Sequence, residues 1–224
     1  ETRAPITKLA KLIHDVPAAR LFDEILKLLM SGYSWQAIQG LREAGLHHGV
    51  LPLLDAALDP KAGVPGSEVF IRLALGNTDE RIQNGKGISA GFLFATLLWP
   101  ELLSTWQKNL AAGMSNITAL HAAMDDVIAT QSKGMMIQRR FEADMREIWA
   151  LQPRFDKRIG RFPQRMLELP RFRAGYDFML LRCATGERSA SLGQWWTRFI
   201  DADPEQQEEL LAAVKEEVSL IGLG

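Results

Sequence analysis

The sequence predicts an all-α fold: an irregular multi-helix array with no β-sheet. Apolar residues recur at 3.6-residue spacing along most of the chain, and nowhere does a sustained period-two alternation stand between turn signals. Prolines, glycines and capping residues cut the chain into segments of about 10–15 residues. The connections between them are short, which favours helix packed on helix. No repeat of fixed period is present.

Taken in order, residues 6–14 read as a short helix after Pro5, stopped by the approach to Pro17. Residues 17–30 (PAARLFDEILKLLM) are the clearest amphipathic helix. Pro17 suits its first position, where the N–H is unpaired anyway. Leu21, Phe22, Ile25, Leu26, Leu28 and Leu29 form the apolar face, and Gly32 is the expected C′ residue. Arg20, Asp23, Glu24 and Lys27 lie opposite, spaced for Arg20–Glu24 and Asp23–Lys27 pairs. Ser34 is the expected cap of a helix over 35–44 that ends at Gly45. A helix over 46–58 carries Pro52 in its first turns, or breaks there. The loop 59–66 (DPKAGVPG) is the best subdomain boundary.

Ser67 is the expected cap of a helix over 68–82, followed by the NGKG turn at 84–87. Residues 88–99 (ISAGFLFATLLW) are apolar all round and read as a buried central helix, too short to span a bilayer. Pro100 is expected to start a new helix over 101–111, and Asn116 to cap one over 117–129. An amphipathic helix follows over 137–151, then shorter ones over 153–158, 163–169 and 170–182. Helices over 192–200 and 204–220 close the chain. This divides the chain into 1–60, 61–130 and 131–224.

At 224 residues, with 47% apolar and 24% charged residues, the chain has the composition of an ordinary globular protein with a sizeable core. No apolar run suits a membrane span and no signal peptide opens the chain. The single cysteine, Cys183, excludes an internal disulfide and fits a reducing, cytoplasmic setting. The start at Glu1, without methionine and inside a helix-forming region, suggests a piece of something longer.

The net charge of −1 hides a strong asymmetry. Residues 133–182 carry twelve Lys/Arg against six Asp/Glu, a net of +6, and residues 201–218 carry a net of −6. The basic stretch contains Lys133, Arg139, Arg140, Arg146, Arg154, Lys157, Arg158, Arg161, Arg165, Arg171, Arg173 and Arg182. Phe141, Trp149, Phe155, Phe162, Phe172 and Tyr176 are interleaved with them. Arginine grips phosphate in bidentate fashion and aromatic rings stack on bases, so one reading is a surface that tracks an RNA backbone. The other is that the rings are core anchors and the arginines a solvated, internally salt-bridged face. A third possibility is a helical scaffold with a protein partner, offering Trp195 and Trp196 beside the acidic end.

Catalytic constellations are missing. His47 and His48 point about 100° apart on a helix. His121 precedes Asp125 and Asp126 by four and five residues, which is better explained as helix surface than as a metal site. Cys183 has no histidine nearby in sequence and belongs to a buried helix. There is no Walker loop, G-x-G-x-x-G or G-x-S-x-G, and Gly85-Lys86-Gly87 is a turn. Catalytic, cofactor-binding and metal-binding residues are therefore expected to be none in this chain.

Several stretches resemble one family. Residues 17–46 (PAARLFDEILKLLMSGYSWQAIQGLREAGL) look like the neck-to-body region of bacterial poly(A) polymerases, class II nucleotidyltransferases related to the CCA-adding tRNA enzymes. LALGNTDERI, FLFATLLWPEL and IQRRFEADMREIWALQPRF resemble their body. LPRFRAGYDFMLLRCATGE looks like the poly(A) polymerase C-terminal region rather than that of the tRNA enzymes. The resemblance runs from Thr2 to about Trp196.

This resemblance implies a parent transferase that adds AMP from ATP to RNA 3′ ends without a template. Its Mg²⁺ and ATP would bind in an N-terminal catalytic head whose Asp-x-Asp pair is missing here, leaving this chain inactive alone. It further implies that Arg20, Glu24 and Lys27 match a neck motif that braces the base-reading helix, so that their face should be exposed. The RNA-contact candidates are Arg139, Arg140, Arg146, Arg154, Lys157, Arg158, Arg161, Arg165, Arg171 and Arg173. The implied partners are a single-stranded RNA 3′ end and the head of the same polypeptide, with no membrane and a monomeric state. The alternatives are the protein-interaction scaffold and the tail of a CCA-adding enzyme.

Overall fold

The computed structural model describes residues 10–47, 52–59 and 66–221. The chain divides into two compact units, residues 1–146 and 147–224. Among the described residues every regular element is a helix, in agreement with the all-α expectation. None of these helices is long and apolar enough to cross a membrane.

The first unit opens with a 3₁₀ turn, Ala10–Asp15, which is all that is described of the helix expected over 6–14. Then come α1 (Ala18–Leu29), α2 (Ser34–Glu43), α3 (Pro52–Ala57), α4 (Ser67–Gln83), α5 (Ala90–Ala111) and α6 (Asn116–Gln131). The unit boundary falls inside α7 (Arg139–Leu151). Of the helix expected over 46–58, Pro52–Ala57 is helical, whereas Leu46 and His47 are not, Leu46 being taken up in the turn that ends α2; the loop residues 60–65 and His48 lie outside the described residues.

Helix α1 turns Leu21, Phe22, Ile25 and Leu29 into the core, each stabilising by about 1.5–3 kcal/mol. Phe22 is central, stacking on Phe94 at 5.6 Å and on Phe141 at 5.8 Å. Pro17 is the N-cap rather than the first helical residue. Its ψ of 133° is extended, while its carbonyl accepts the N–H groups of Arg20 and Leu21 at 2.9 and 3.0 Å. Gly32, the expected C′ residue, lies one residue beyond C′, at φ +82°, and its carbonyl accepts a hydrogen bond from Gln83 Nε2 at 2.7 Å.

Ser34 does not cap α2; it is the first helical residue. Its N–H is satisfied by Asp79 of α4, both carboxylate oxygens lying within 2.9 Å. Helix α2 ends as its sequence predicts. Gly45, at φ +68°, donates to Arg42 O and Leu46 donates to Leu41 O, closing a Schellman motif. Ser67 is likewise the first residue of α4, preceded by Gly66 at φ +84°. The cap of α6 is Ser115, one residue before the expected Asn116.

Helix α5 departs most from expectation. The all-apolar segment 88–99 and the segment 101–111 form one helix with Pro100 inside it. An interior proline costs about 3 kcal/mol because it removes a hydrogen bond and crowds the preceding turn. Leu97, Leu98, Trp99 and Leu102 are all fully buried and together offset that cost. A break at Pro100 would split this apolar surface. Helix α5 packs on α6, with α3 and α4 also against it. Gly91 admits α7, since a Cβ there would lie 2.5 Å from Asp144 Cβ.

The second unit contains the end of α7, a 3₁₀ segment Gln152–Asp156, α8 (Phe162–Leu167), α9 (Phe172–Ala184), α10 (Ala190–Asp201) and α11 (Pro204–Ile221). Its core is aromatic. Trp196 is fully buried, meets Phe155 edge-on at 5.1 Å and donates from Nε1 to the Phe155 carbonyl at 2.9 Å. Trp195 stacks on Phe199 at 4.8 Å. Leu210, Leu211 and Val214 of α11 close this cluster.

A buried charged knot ties the segments of this unit together. Arg182 donates to Glu187 from Nε at 2.8 Å and to Gln152 Oε1 at 3.1 Å, while Gln152 donates to the Gly175 carbonyl at 3.2 Å. Burial pulls the Arg182 guanidinium below its usual range, against the opposing pull of Glu187.

Candidate functional site

The structure sorts the ten candidate cations by what faces them. Arg139, Arg140 and Arg146 stand in the first unit on α7; the other seven belong to the second. Three are ion-paired. Arg146 meets Asp125 at 2.8 Å, Arg173 meets Asp177 at 3.1 Å and Arg171 approaches Glu147 at 3.6 Å. Three others sit over aromatic rings. Arg140 covers Phe141 at 4.5 Å, Lys157 covers Phe162 at 4.8 Å and Arg158 covers Trp195 at 5.5 Å. Arg139, Arg154, Arg161 and Arg165 are exposed and meet no carboxylate among the described residues.

Lys157, Arg158, Arg161 and Arg165 follow one another with no acidic residue from 157 to 167. Gly160 makes the turn between the two pairs at φ +55°. Arg161 is the N-cap of α8 and Arg165 lies in its last turn, four residues on, so the two stand on one helical face. Like charges at that spacing repel by a few tenths of a kcal/mol. Asp156, which precedes the run, is bound by Arg188 from 32 residues away. Arg188 lies beyond the stretch that composition singles out. Its pairing with Asp156 had no signal in the sequence, and it leaves Lys157 and Arg158 without that neighbouring counter-charge.

The interleaved aromatics do not form a stacking platform. Trp149, Phe155, Phe172 and Tyr176 are buried, and Phe141 and Phe162 are half-buried beneath cations. A ring of mixed polarity cannot be told apart from a core anchor by sequence position alone. Trp195 and Trp196, offered above as an exposed protein-docking pair, are 8% and 0% exposed, because α10 turns both into the core of the second unit. They do not form an exposed docking pair.

Arg20, Glu24 and Lys27 are all exposed on α1. The ion pair formed is Glu24–Lys27 at 2.8 Å, three residues apart, rather than either of the four-residue pairs that the spacing suggests. The hydrogen bond from Lys27 and its charge hold the Glu24 carboxyl below its ordinary value and raise the Lys27 ammonium correspondingly.

His47 lies half-buried beside Arg42, Asp55 and Leu58, and His121 is exposed on α6. The side chain of His14 lies outside the described residues. Among the described residues no group of three or more His, Cys, Asp or Glu is arranged to hold a metal ion. Cys183 is half-buried, its Sγ 3.5 Å from Met179 Sδ, and burial pushes its thiol up.

Comparison with known proteins adds direct relatives. A family model described as the polymerase A arginine-rich C-terminus matches residues 112–219, and one described as the probable RNA- and SrmB-binding site of polymerase A matches residues 1–58. Poly(A) polymerase I of Escherichia coli is 38% identical over 223 residues, covering 98% of this chain and 48% of that protein. The enzyme of the same name from Salmonella typhimurium is 36% identical over 214 residues, covering 94% of this chain and 46% of its own length. That of Haemophilus influenzae is 36% identical over 210 residues, covering 92% and 46%. The chain spans about half the length of the curated relatives it matches.

Proposed function

Since the chain belongs to the bacterial poly(A) polymerase family, we propose that it is the helical, RNA-holding part of an enzyme that extends RNA 3′ ends with AMP from ATP. The observation that carries this reading lies in the second unit, where Arg154, Lys157, Arg158, Arg161 and Arg165 meet no carboxylate among the described residues. A single-stranded RNA displays one negative charge per nucleotide. Uncompensated Lys and Arg gain from neutralising those charges, and the released counterions make the affinity salt-dependent. The descriptions of the matched family models, naming an RNA-binding site and an arginine-rich C-terminus, support the same reading.

On this proposal the nucleotide and Mg²⁺ are handled by a catalytic head corresponding to the part of the relatives that this chain does not match. This chain's own residues hold and orient the RNA strand. The exposed Arg20, Glu24 and Lys27 face of α1 is the surface that braces the base-reading helix of that head. The chain works as a monomer in the cytoplasm.

The test is fluorescence anisotropy with labelled oligo(A) over a salt series. The expected result is binding at low salt that weakens linearly in log K against log salt. Unchanged anisotropy at low salt and high protein concentration would overturn the proposal.

A further inference from the structure

We infer that residues 157–165 form a base-blind phosphate grip, in which Lys157, Arg158, Arg161 and Arg165 hold consecutive phosphodiesters of a single strand while no aromatic ring among the described residues of the second unit is open for bases to stack on. This deepens the RNA-holding reading above and rests on it.

Three observations carry it. The run has four cations and no acid, and its preceding carboxylate, Asp156, is taken by Arg188. The fold therefore maintains net positive charge here, even placing Arg161 and Arg165 one helical turn apart at a cost in repulsion. A charge concentration without internal pairing creates a local positive potential that draws anions to it.

The heads of Lys157 and Arg158 are restrained by rings, not by carboxylates. An ion pair would restrain a side chain and cancel its charge. A cation–π seat restrains it and leaves the charge available, which lowers the ordering cost when a phosphate arrives. Arg146 and Arg173, by contrast, are already neutralised by Asp125 and Asp177.

The rings that could read bases are committed elsewhere. Phe155, Phe172, Trp195 and Trp196 are core residues, and Phe162 lies under Lys157. Contacts limited to the phosphate backbone position a strand without reporting its sequence.

The experiment uses the full chain and three variants with oligo(A), oligo(U) and oligo(C) of equal length, over a salt series. In the first variant Lys157, Arg161 and Arg165 become Gln; all three are exposed, and unchanged thermal melting verifies the fold. In the second, Arg146 and Arg173 become Gln. Each lost single-strand phosphate contact flattens log K against log salt by about 0.7, so the triple variant should lose about 2 from the slope. Its affinity should fall at least about tenfold, by the same factor for all three oligonucleotides. The double variant should keep the slope within about 0.5 of the parent. In the third variant Arg158 becomes Lys, and the slope should stay at the parent's value.

A triple variant that binds with the parent's slope, or a loss confined to oligo(A), overturns this inference while leaving the RNA reading intact. A larger slope loss in the double variant than in the triple overturns it equally. A parent chain that binds none of the three oligonucleotides overturns the RNA reading itself.

Discussion

Asp79 accepts the backbone N–H of Ser34 with both carboxylate oxygens, at 2.8 and 2.9 Å, across 45 residues of sequence. A carboxylate from α4 thus performs for α2 the task usually given to a local N-cap side chain. It sits where the positive end of the α2 dipole favours a negative charge. The same contact docks the two helices, because Ser34 Oγ also donates to Leu75 O at 3.4 Å.

Asp79→Ala should therefore destabilise the first unit by about 1–3 kcal/mol, combining a lost cap with a buried N–H left unpaired. Asp79→Asn should cost less, since one acceptor oxygen remains. Urea denaturation followed by far-UV circular dichroism measures both; equal midpoints for Asp79→Ala and the parent chain would refute the account.

Gly91→Ala should destabilise by at least about 1–3 kcal/mol. The added methyl would lie 2.5 Å from Asp144 Cβ, and α7 cannot retreat without loosening Phe141 from Phe22. Gly40→Ala, where nothing lies within 4 Å, is the matched control and should be neutral or stabilising. Thermal melts of the two variants should shift in opposite directions, or the control not at all.

Arg182→Ala should cost about 3–5 kcal/mol, because it leaves Glu187 and Gln152 without their buried donor. Substitution by Lys should rescue only part of this, since one ammonium cannot reach both partners with the planar fork of arginine. The readout is near-UV circular dichroism, where the packed Trp195 and Trp196 rings report on the second unit.

Replacing Arg20, Glu24 and Lys27 together by Gln should leave the urea midpoint of this chain unchanged at neutral pH, because all three side chains are exposed. The Glu24 carboxyl has a lowered pKa in the folded state, so whatever its pair contributes is present above the ordinary carboxylate range and disappears as pH falls through the folded value. A large loss of stability at pH 7 would mean that this face packs against something within the chain.

Alkylation of Cys183 by iodoacetamide should be slow, and its pH profile displaced upward from that of the urea-unfolded chain. Burial raises the thiol pKa, and the thiolate is the reacting form. Profiles that coincide would contradict the burial.

The periodic signals in the sequence were strong enough to give the all-helical fold and the apolar face of α1. Schellman glycines such as Gly45 needed nothing beyond local chemistry to be read correctly. What sequence reading missed depended on distant partners. Ser34 and Ser67 look like caps because Ser is a good cap, yet Asp79 supplies the acceptor for Ser34 and Gly66 shapes the entry to Ser67. Pro100 is a helix breaker by local rules and is overruled by the buried surface on either side of it. In the basic stretch the charges were countable, but pairing was not. The four-residue spacing finds Arg173 with Asp177, but no spacing rule finds the pairing of Arg146 with Asp125 or of Arg188 with Asp156.

Seating Lys157 and Arg158 on Phe162 and Trp195 has a consequence for how this surface can change. A charge held by a carboxylate is altered safely only by two coordinated substitutions, since changing one partner strands the other. Here the rings are held in place by their own packing, whatever lies above them. Each positive charge can therefore be gained or lost by a single substitution without disturbing the interior, so that the electrostatic strength of the surface is free to drift in small, separate steps.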